Sequence, residues 1–264
     1  MLSRMTDPDL VALSDAGFHA FDREVILRSG GEVTEERGLL QVAGTHPAPF
    51  IVNGTMRIDP SVSADETIAR AREYATRFGR QASITTHGDD TDLEEALSDA
   101  GWELVVRLAG MVALDPVATV EPGAGVELIH VRTDAERLQL IDVLAEAFGP
   151  DEPWPGIWKS VFSDMSTIGP DVTAVLAPVN GEVAAAAVGY ALEPAGVVGM
   201  VGTIGRFGRR GLGELVTRAV ASASQQPGDR PVVLQSSPMA RPLYQRIGFR
   251  AVTTYSIWVD AAPT

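Results

Sequence analysis

The chain has 264 residues, 45% of them hydrophobic, a net charge of −14 and no cysteine. This composition suits one large or two small globular domains and excludes a disulfide framework, a thiol nucleophile and a cysteine metal site. No apolar run approaches the ~18–20 residues of a membrane span, the first residues lack the apolar core of a secretory signal, and an acidic chain repels nucleic acid and anionic membrane surfaces. The expected setting is therefore cytoplasmic, with neither nucleic acid nor membrane as a partner.

In chain order, Asp7 and Pro8 suit an N-cap and first helical position and predict a helix to about Phe21. A strand is expected from Arg37 to Gly44, and Asn53-Gly54 reads as a hairpin turn. Ser63-Ala64-Asp65-Glu66 is a capping-box pattern, followed by Ile68, Ala71, Tyr74, Ala75 and Phe78 on one helical face. A strand over 82–86 precedes a second such pattern, Thr91-Asp92-Leu93-Glu94, whose helix ends at Gly101. Trp102 to Leu114 reads as a strand.

Asp115 to Gly125, rich in proline and glycine, reads as a linker. Beyond it lie a strand at 126–131, a third capping box at Thr133-Asp134-Ala135-Glu136 and a helix with an apolar stripe of Leu138, Ile141, Leu144, Ala145 and Phe148. The turn-rich segment 149–155 stops that helix, and two strands flank Asn180-Gly181, a strong hairpin signal. An apolar β-rich run, 197–204, feeds a loop with Gly205, Arg206, Gly208, Arg209, Arg210, Gly211 and Gly213. There Leu212, Leu215, Val216, Ala219, Val220 and Ala223 recur with helical spacing.

A glycine loop opening into a helix turns backbone amides towards one point, where the helix terminus adds partial positive charge. Arg206, Arg209 and Arg210 add formal charge, and between 206 and 250 eight arginines face only Glu214 and Asp229. This predicts an anion site, best suited to a pyrophosphate. It is not a P-loop, which needs a lysine after the glycines, nor a dinucleotide fingerprint, because Val216 stands where the last glycine belongs.

The pattern Arg209-Arg210-Gly211-Leu212-Gly213 after a strand instead resembles the acyl-CoA loop of the GNAT superfamily of N-acetyltransferases. Residues 231–249 extend the resemblance with a strand, a helix and Tyr244, Gly248 and Phe249 in a Y-x-x-x-G-F arrangement. Leu97-Ser98-Asp99-Ala100-Gly101-Trp102 can be laid on Tyr244-Gln245-Arg246-Ile247-Gly248-Phe249, so the first half looks like a degenerate copy of the second. The resemblance implies an α/β (α+β) GNAT fold, a mixed twisted sheet flanked by helices, in two tandem GNAT-like domains at 1–119 and 120–264.

It further implies an acetyl-CoA-dependent transfer of an acetyl group to an amine of a small molecule or peptide, with homodimerisation left open. The backbone of Val201, Gly202 and Thr203 would bind the pantetheine arm, and the amides of Arg209, Arg210, Gly211, Leu212 and Gly213 the pyrophosphate. Tyr244 would be the general acid at the departing thiolate. Ser237 stands where many members carry an asparagine contacting the cofactor arm. Glu193, Thr203 and Glu214 are the candidates near a general base, none compelling. Trp154, Trp158, Asp151 and Glu152 lie where that family often walls its acceptor pocket, although such tryptophans also serve as packing anchors. Gly208 replaces the usual Gln or Arg, and Gly205 a frequent proline. Two alternatives are a non-catalytic acyl-CoA sensor and a scaffold that has lost the ligand. The four histidines show no metal-ligand spacing, and neither H-E-x-x-H nor G-x-S-x-G is present.

Overall fold

The computed structural model of the chain describes residues 6–228 and 230–261. It opens with a long helix, α1 (Asp7–Arg28), whose N-cap is Thr6 rather than Asp7, in a capping box with Asp9. The helix outruns the expected end at Phe21 because Val25 and Ile26 continue its buried face. Three strands follow: β1 (Glu32–Glu36), β2 (Leu39–Ala43) and β3 (Asn53–Arg57). Asn53-Gly54 is not a hairpin turn but the start of β3. The chain reverses earlier, through positive φ at Phe50 and Ile51, and the Asn53 amide holds that loop by donating to the carbonyls of His46 and Ala48.

Next come α2 (Ala64–Arg77), β4 (Ser83–His87), α3 (Thr91–Asp99) and β5 (Trp102–Ala113). Ser63 caps α2 as expected, its hydroxyl accepting from the Glu66 amide. The box expected at Thr91 does not form: the N-cap is Asp90, whose carboxylate is occupied by Arg57 and the His87 amide. Segment 115–125 is irregular but anchored, since the Val117 amide donates to Gln225 and Arg218 donates to the Ala118 carbonyl.

The second half runs β6 (Ile129–His130), α4 (Asp134–Phe148), α5 (Trp154–Val161), β7 (Val172–Val179), β8 (Glu182–Tyr190), β9 (Gly196–Thr203), α6 (Leu212–Ser224), β10 (Val232–Ser236), α7 (Arg241–Ile247) and β11 (Arg250–Asp260). The Thr133–Glu136 capping box forms. The stripe on α4 is shifted from the expected one: Leu138 is exposed, whereas Leu140, Ile141, Val143 and Leu144 are buried. Asn180 and Gly181 both take positive φ in the β7–β8 hairpin.

All eleven strands join one mixed sheet in the order β1-β2-β3-β4-β11-β5-β10-β9-β8-β7-β6. Each half supplies a parallel pair, β3 with β4 and β9 with β10, then a helix and a last strand. The last strands are exchanged, β11 pairing with β4 and β5 with β10, and the two pair antiparallel with each other at the centre. Thr86 of β4 bonds Glu94 of α3, whereas His87, the next residue, faces Asp15 of α1, so α1 and α3 cover opposite faces. Gly17 lets α1 approach β10 closely, for a Cβ there would stand 2.6 Å from Val233 Cγ2. The sheet curls around α1: Ile26 touches the β1–β2 edge, Arg28 pairs with Asp171 before β7 at 2.6 Å, and Phe50 meets Trp154 of α5.

Candidate active site

The parallel pair β9–β10 is joined only from Gly196 to Val198 on one strand and from Val232 to Leu234 on the other. Beyond those residues β9 runs on to Thr203 beside β8 and β10 to Ser236 beside β5, but they no longer pair with each other, so a gap opens between their C-terminal ends. A bulge starts it. Val188 faces Met200 while Gly189 faces Val198, leaving Gly199 as an extra residue. The backbone of Val201, Gly202 and Thr203 therefore borders an unfilled strand position.

The loop after β9 stands at the mouth of this gap. Gly211 is the N-cap of α6 in a left-handed conformation, φ 78° and ψ 0°, and contributes no side-chain cap. Arg209 also has positive φ, 62°. Among the described residues no acceptor takes the amides of Arg209, Arg210, Gly211, Leu212 or Gly213. Such a concave run of free amides at a helix N-terminus is an anion cradle. The side chains of Arg209 and Arg210 are exposed and have no ion pair among the described residues, Arg210 lying over the Phe207 ring at 5.5 Å. Arg206 does not belong to this set. It pairs with Glu146 and Glu182, so its charge is already met.

Gly213 brings the start of α6 against both β9 and α7, since a Cβ there would lie 3.4 Å from Thr203 Oγ1 and 3.5 Å from Leu243. Tyr244, on α7, is 6% exposed, with its ring against Phe249 at 6.2 Å. Its hydroxyl makes no hydrogen bond within the described residues, and burial pushes its pKa up to about 12. The phenol thus stays protonated across the ordinary pH range and keeps its proton available. Ser237 closes the turn into α7, its hydroxyl and carbonyl accepting from the Ala240 amide at 3.3 and 3.1 Å.

The two glutamates weighed as bases are each held in an ion pair. Glu193 sits before the N-terminal end of β9, at the opposite end of the strand from Thr203 and roughly 25 Å away. It is exposed and pairs with Arg230 at 3.2 Å. Glu214 is held by Arg218 at 2.8 Å. Trp158 is a packing anchor, 2% exposed and stacked on Trp154 at 6.0 Å, while Trp154 also meets Phe148 and Phe50.

The opposite face of the gap carries groups that the sequence reading missed. Gln235 of β10 pairs with Gly110 of β5, and Gly110 faces Ser14 of α1, so Gln235 also points to the α1 side. There it lines a shallow hollow with Phe18, His19, Met56, Arg57, His87 and Tyr255. The Tyr255 hydroxyl donates to Asp15 at 2.7 Å and bonds Ser14 at 2.8 Å. Asp22 lies one turn beyond Phe18 and His19 on the same helix. The available signal was the polar row Asp15, His19 and Asp22, at i, i+4 and i+7 on a helix whose buried face holds Leu10, Phe18, Val25 and Ile26. Among the described residues no group of three or more His, Cys, Asp or Glu side chains could hold a metal, and no helix is long and apolar enough to cross a membrane.

Residues 176–259, the segment that builds the gap, match the family model described as FR47-like protein. No curated protein matches the sequence. Among solved structures, a GCN5-related N-acetyltransferase from Kribbella flavida superposes with a TM-score of 0.72 at 20% identity, covering 95% of this chain and 96% of the other. A GCN5-related N-acetyltransferase from Sphaerobacter thermophilus gives 0.64 at 17% identity over 85% and 76% of the two chains. A tandem GNAT protein from the clavulanic acid biosynthesis pathway gives 0.54 at 18% identity over 88% and 82%. The chain has the GNAT fold along nearly its whole length.

Proposed function

We propose that this GNAT-fold chain is an acetyl-CoA-dependent N-acetyltransferase whose cofactor site lies in its second half, the first half being a GNAT-like copy without that site. One observation carries the reading: the gap between β9 and β10 has unpaired amides at its mouth and the unbonded hydroxyl of Tyr244 on the adjacent helix. The pantetheine arm would lie along Val201, Gly202 and Thr203 as an added strand. The pyrophosphate would take the amides from Arg209 to Gly213, with Arg209 and Arg210 countering its charge. Ser237 stays near the arm but contributes through its turn rather than a free hydroxyl.

In the reaction the amine nitrogen attacks the thioester carbonyl, a C–N bond forms and the C–S bond breaks. The departing sulfur takes the proton of Tyr244 Oη, and the proton lost by the amine passes to water and then restores the phenol. A direct transfer of this kind needs no covalent enzyme intermediate, in keeping with a chain that has no cysteine. The acceptor is an amine of a small molecule or peptide.

The first test is the melting temperature with and without acetyl-CoA. Saturation at ~100 times the dissociation constant stabilises the folded state by ~2.7 kcal/mol. A rise that is lost in Gly211→Glu, followed by amine-dependent release of free thiol, supports the reading. Absence of any rise at millimolar acetyl-CoA sinks it.

A further inference from the structure

The proton that leaves the attacking nitrogen needs an acceptor, and both glutamates weighed for that part are tied up in ion pairs. With the pyrophosphate at the mouth of the β9–β10 gap and the arm running inward along Thr203, Gly202 and Val201, the thioester would lie near the apex. There the two strands part after Val198 and Leu234. Gln235, the next residue of β10, points to the α1 side and lines the hollow there with His87 and Tyr255. Gly189 faces α6 while its neighbour Tyr190 packs on Phe21 of α1, so the hollow and α6 lie on opposite faces of the sheet. The hollow has room for about one water. His87, at the end of β4, is the first half's contribution to it.

The surroundings of His87 orient its ring. Arg57 pairs with Asp90 Oδ1 at 2.6 Å, and both side chains are almost fully buried. Asp90 Oδ2 accepts from the His87 amide at 3.1 Å and stands 3.4 Å from His87 Nε2. Asp15 of α1 faces the other ring nitrogen, Nδ1, from 3.9 Å, too far for a direct bond, and its second oxygen accepts from the Tyr255 hydroxyl at 2.7 Å. The nearer carboxylate, fixed by Arg57, draws the ring proton to Nε2 and leaves the lone pair on Nδ1. Nδ1 is buried without a hydrogen-bond partner among the described residues, an arrangement that is costly unless it serves a purpose. The side chain as a whole is 28% exposed, so a proton taken up at Nδ1 has a way out to solvent. Beyond Arg57, Asp90 and Asp15, the titratable neighbours are Asp89 and His19, and burial with the nearby Arg23 holds His19 neutral, down to about 4.

We infer that His87, from the half without a cofactor site, takes the proton released in the reaction of the other half, through one water in the hollow, with Asp90 and Arg57 as its positioning residues. The inference rests on the acetyltransferase reading. As the nucleophile attacks the thioester carbonyl, its proton passes to the water, and a proton of that water passes to His87 Nδ1. The C–S bond breaks, and the sulfur takes the proton of Tyr244 Oη from the α7 side. The imidazolium then gives one proton to solvent and the phenolate takes one back, which leaves both groups as they began. The first half thereby serves a reaction whose cofactor it does not hold.

The experiment follows thiol release from acetyl-CoA by the full chain with water as the nucleophile, across about pH 5 to about pH 9, alongside the acetyl-CoA melting shift. His87→Gln should lower the rate about a hundredfold and abolish its fall towards acid pH, while the melting shift is kept. Imidazole added to His87→Ala should restore part of the rate, which a merely structural histidine would not allow. Nitrogen NMR of the labelled parent chain needs no variant and should find the His87 ring proton on Nε2. A rate indifferent to His87→Gln, an acid fall that survives in that variant, or a ring proton on Nδ1 would overturn the proposal while acetyl-CoA still binds. Absence of the melting shift in the parent chain would instead remove the acetyltransferase reading, and the relay with it.

Discussion

At the end of β3 the chain enters α2 through Ile58 to Ser63 and presents Asp59, Asp65 and Glu66; at the end of β9 it enters α6 through Ile204 to Gly211 and presents bare amides beside Arg209 and Arg210. The Ser63 hydroxyl accepts from the Glu66 amide of α2, whereas Gly211 brings no side-chain cap to α6. The strand gaps differ in the same sense. β3 and β4 pair only at Thr55–Ile84 and Met56–Thr85, and at their ends the buried Arg57 pairs with Asp90 and Asp92 and donates to the Val62 carbonyl. The gap between β9 and β10 has no such ion pair across it among the described residues. The same order of strand, loop and helix thus gives a sealed ion pair in one half and an open anion cradle in the other. The chemistry lies in loop and side chain rather than in the frame.

The comparison can be broken most forcefully at Arg57. Arg57→Met strips the buried Asp90 of its guanidinium, leaving it only the His87 amide and imidazole, and should cost about 3–5 kcal/mol in urea unfolding, with the acetyl-CoA melting shift retained in the folded fraction. Loss of that shift as well would mean that the two gaps are not independent. Tyr244→Phe should lower turnover about a hundredfold while the dissociation constant for acetyl-CoA is unchanged, and Leu97→Phe, at the matching place in the first half, should do neither. Because Tyr244 titrates only at about 12, it should cause no alkaline fall in kcat up to about pH 10. Gly211→Glu should remove the ~2.7 kcal/mol of stabilisation by saturating acetyl-CoA, whereas Ser63→Glu should leave it in place; equal effects would erase the distinction between the two loops.

The remaining effect is a slope. Asp22 has its folded pKa raised from the ordinary 3.8 to about 7, so the folded chain keeps a proton that the unfolded chain has released. Stability from this group is therefore full below the unfolded value and is lost as pH rises to about 7. Asp22→Asn should flatten that fall, seen as a smaller drop in melting temperature between about pH 5 and about pH 8 in the cofactor-free protein.

The second half was legible in the sequence because its signals are local. The capping box at Thr133, the Asn180-Gly181 turn, the glycine loop and the Tyr244–Phe249 segment each specify backbone within a few residues, and each appears at its expected place. What escaped depends on long-range contact. Nothing near Asn53 announces that its amide will hold a loop, and nothing near Asp90 tells that it will abandon a helix cap for Arg57. The hollow under α1 assembles residues from Phe18 to Tyr255 that no spacing rule connects. Likewise, eight arginines in one stretch suggested a basic patch, but Arg206, Arg218 and Arg230 are matched by carboxylates.

The exchange of last strands sets the order in which this chain can become a sheet. While the first half is being made, β4 and β5 are both present, yet the strand that separates them, β11, comes after every other element among the described residues, and β10 on the other side of β5 also comes late. During synthesis those edges stand open, with unpaired backbone groups that invite wrong partners. The central strands are thus sewn together at the end by long-range contacts, a slow kind of assembly. Neither half can be cut away without leaving a vacant strand position in the other.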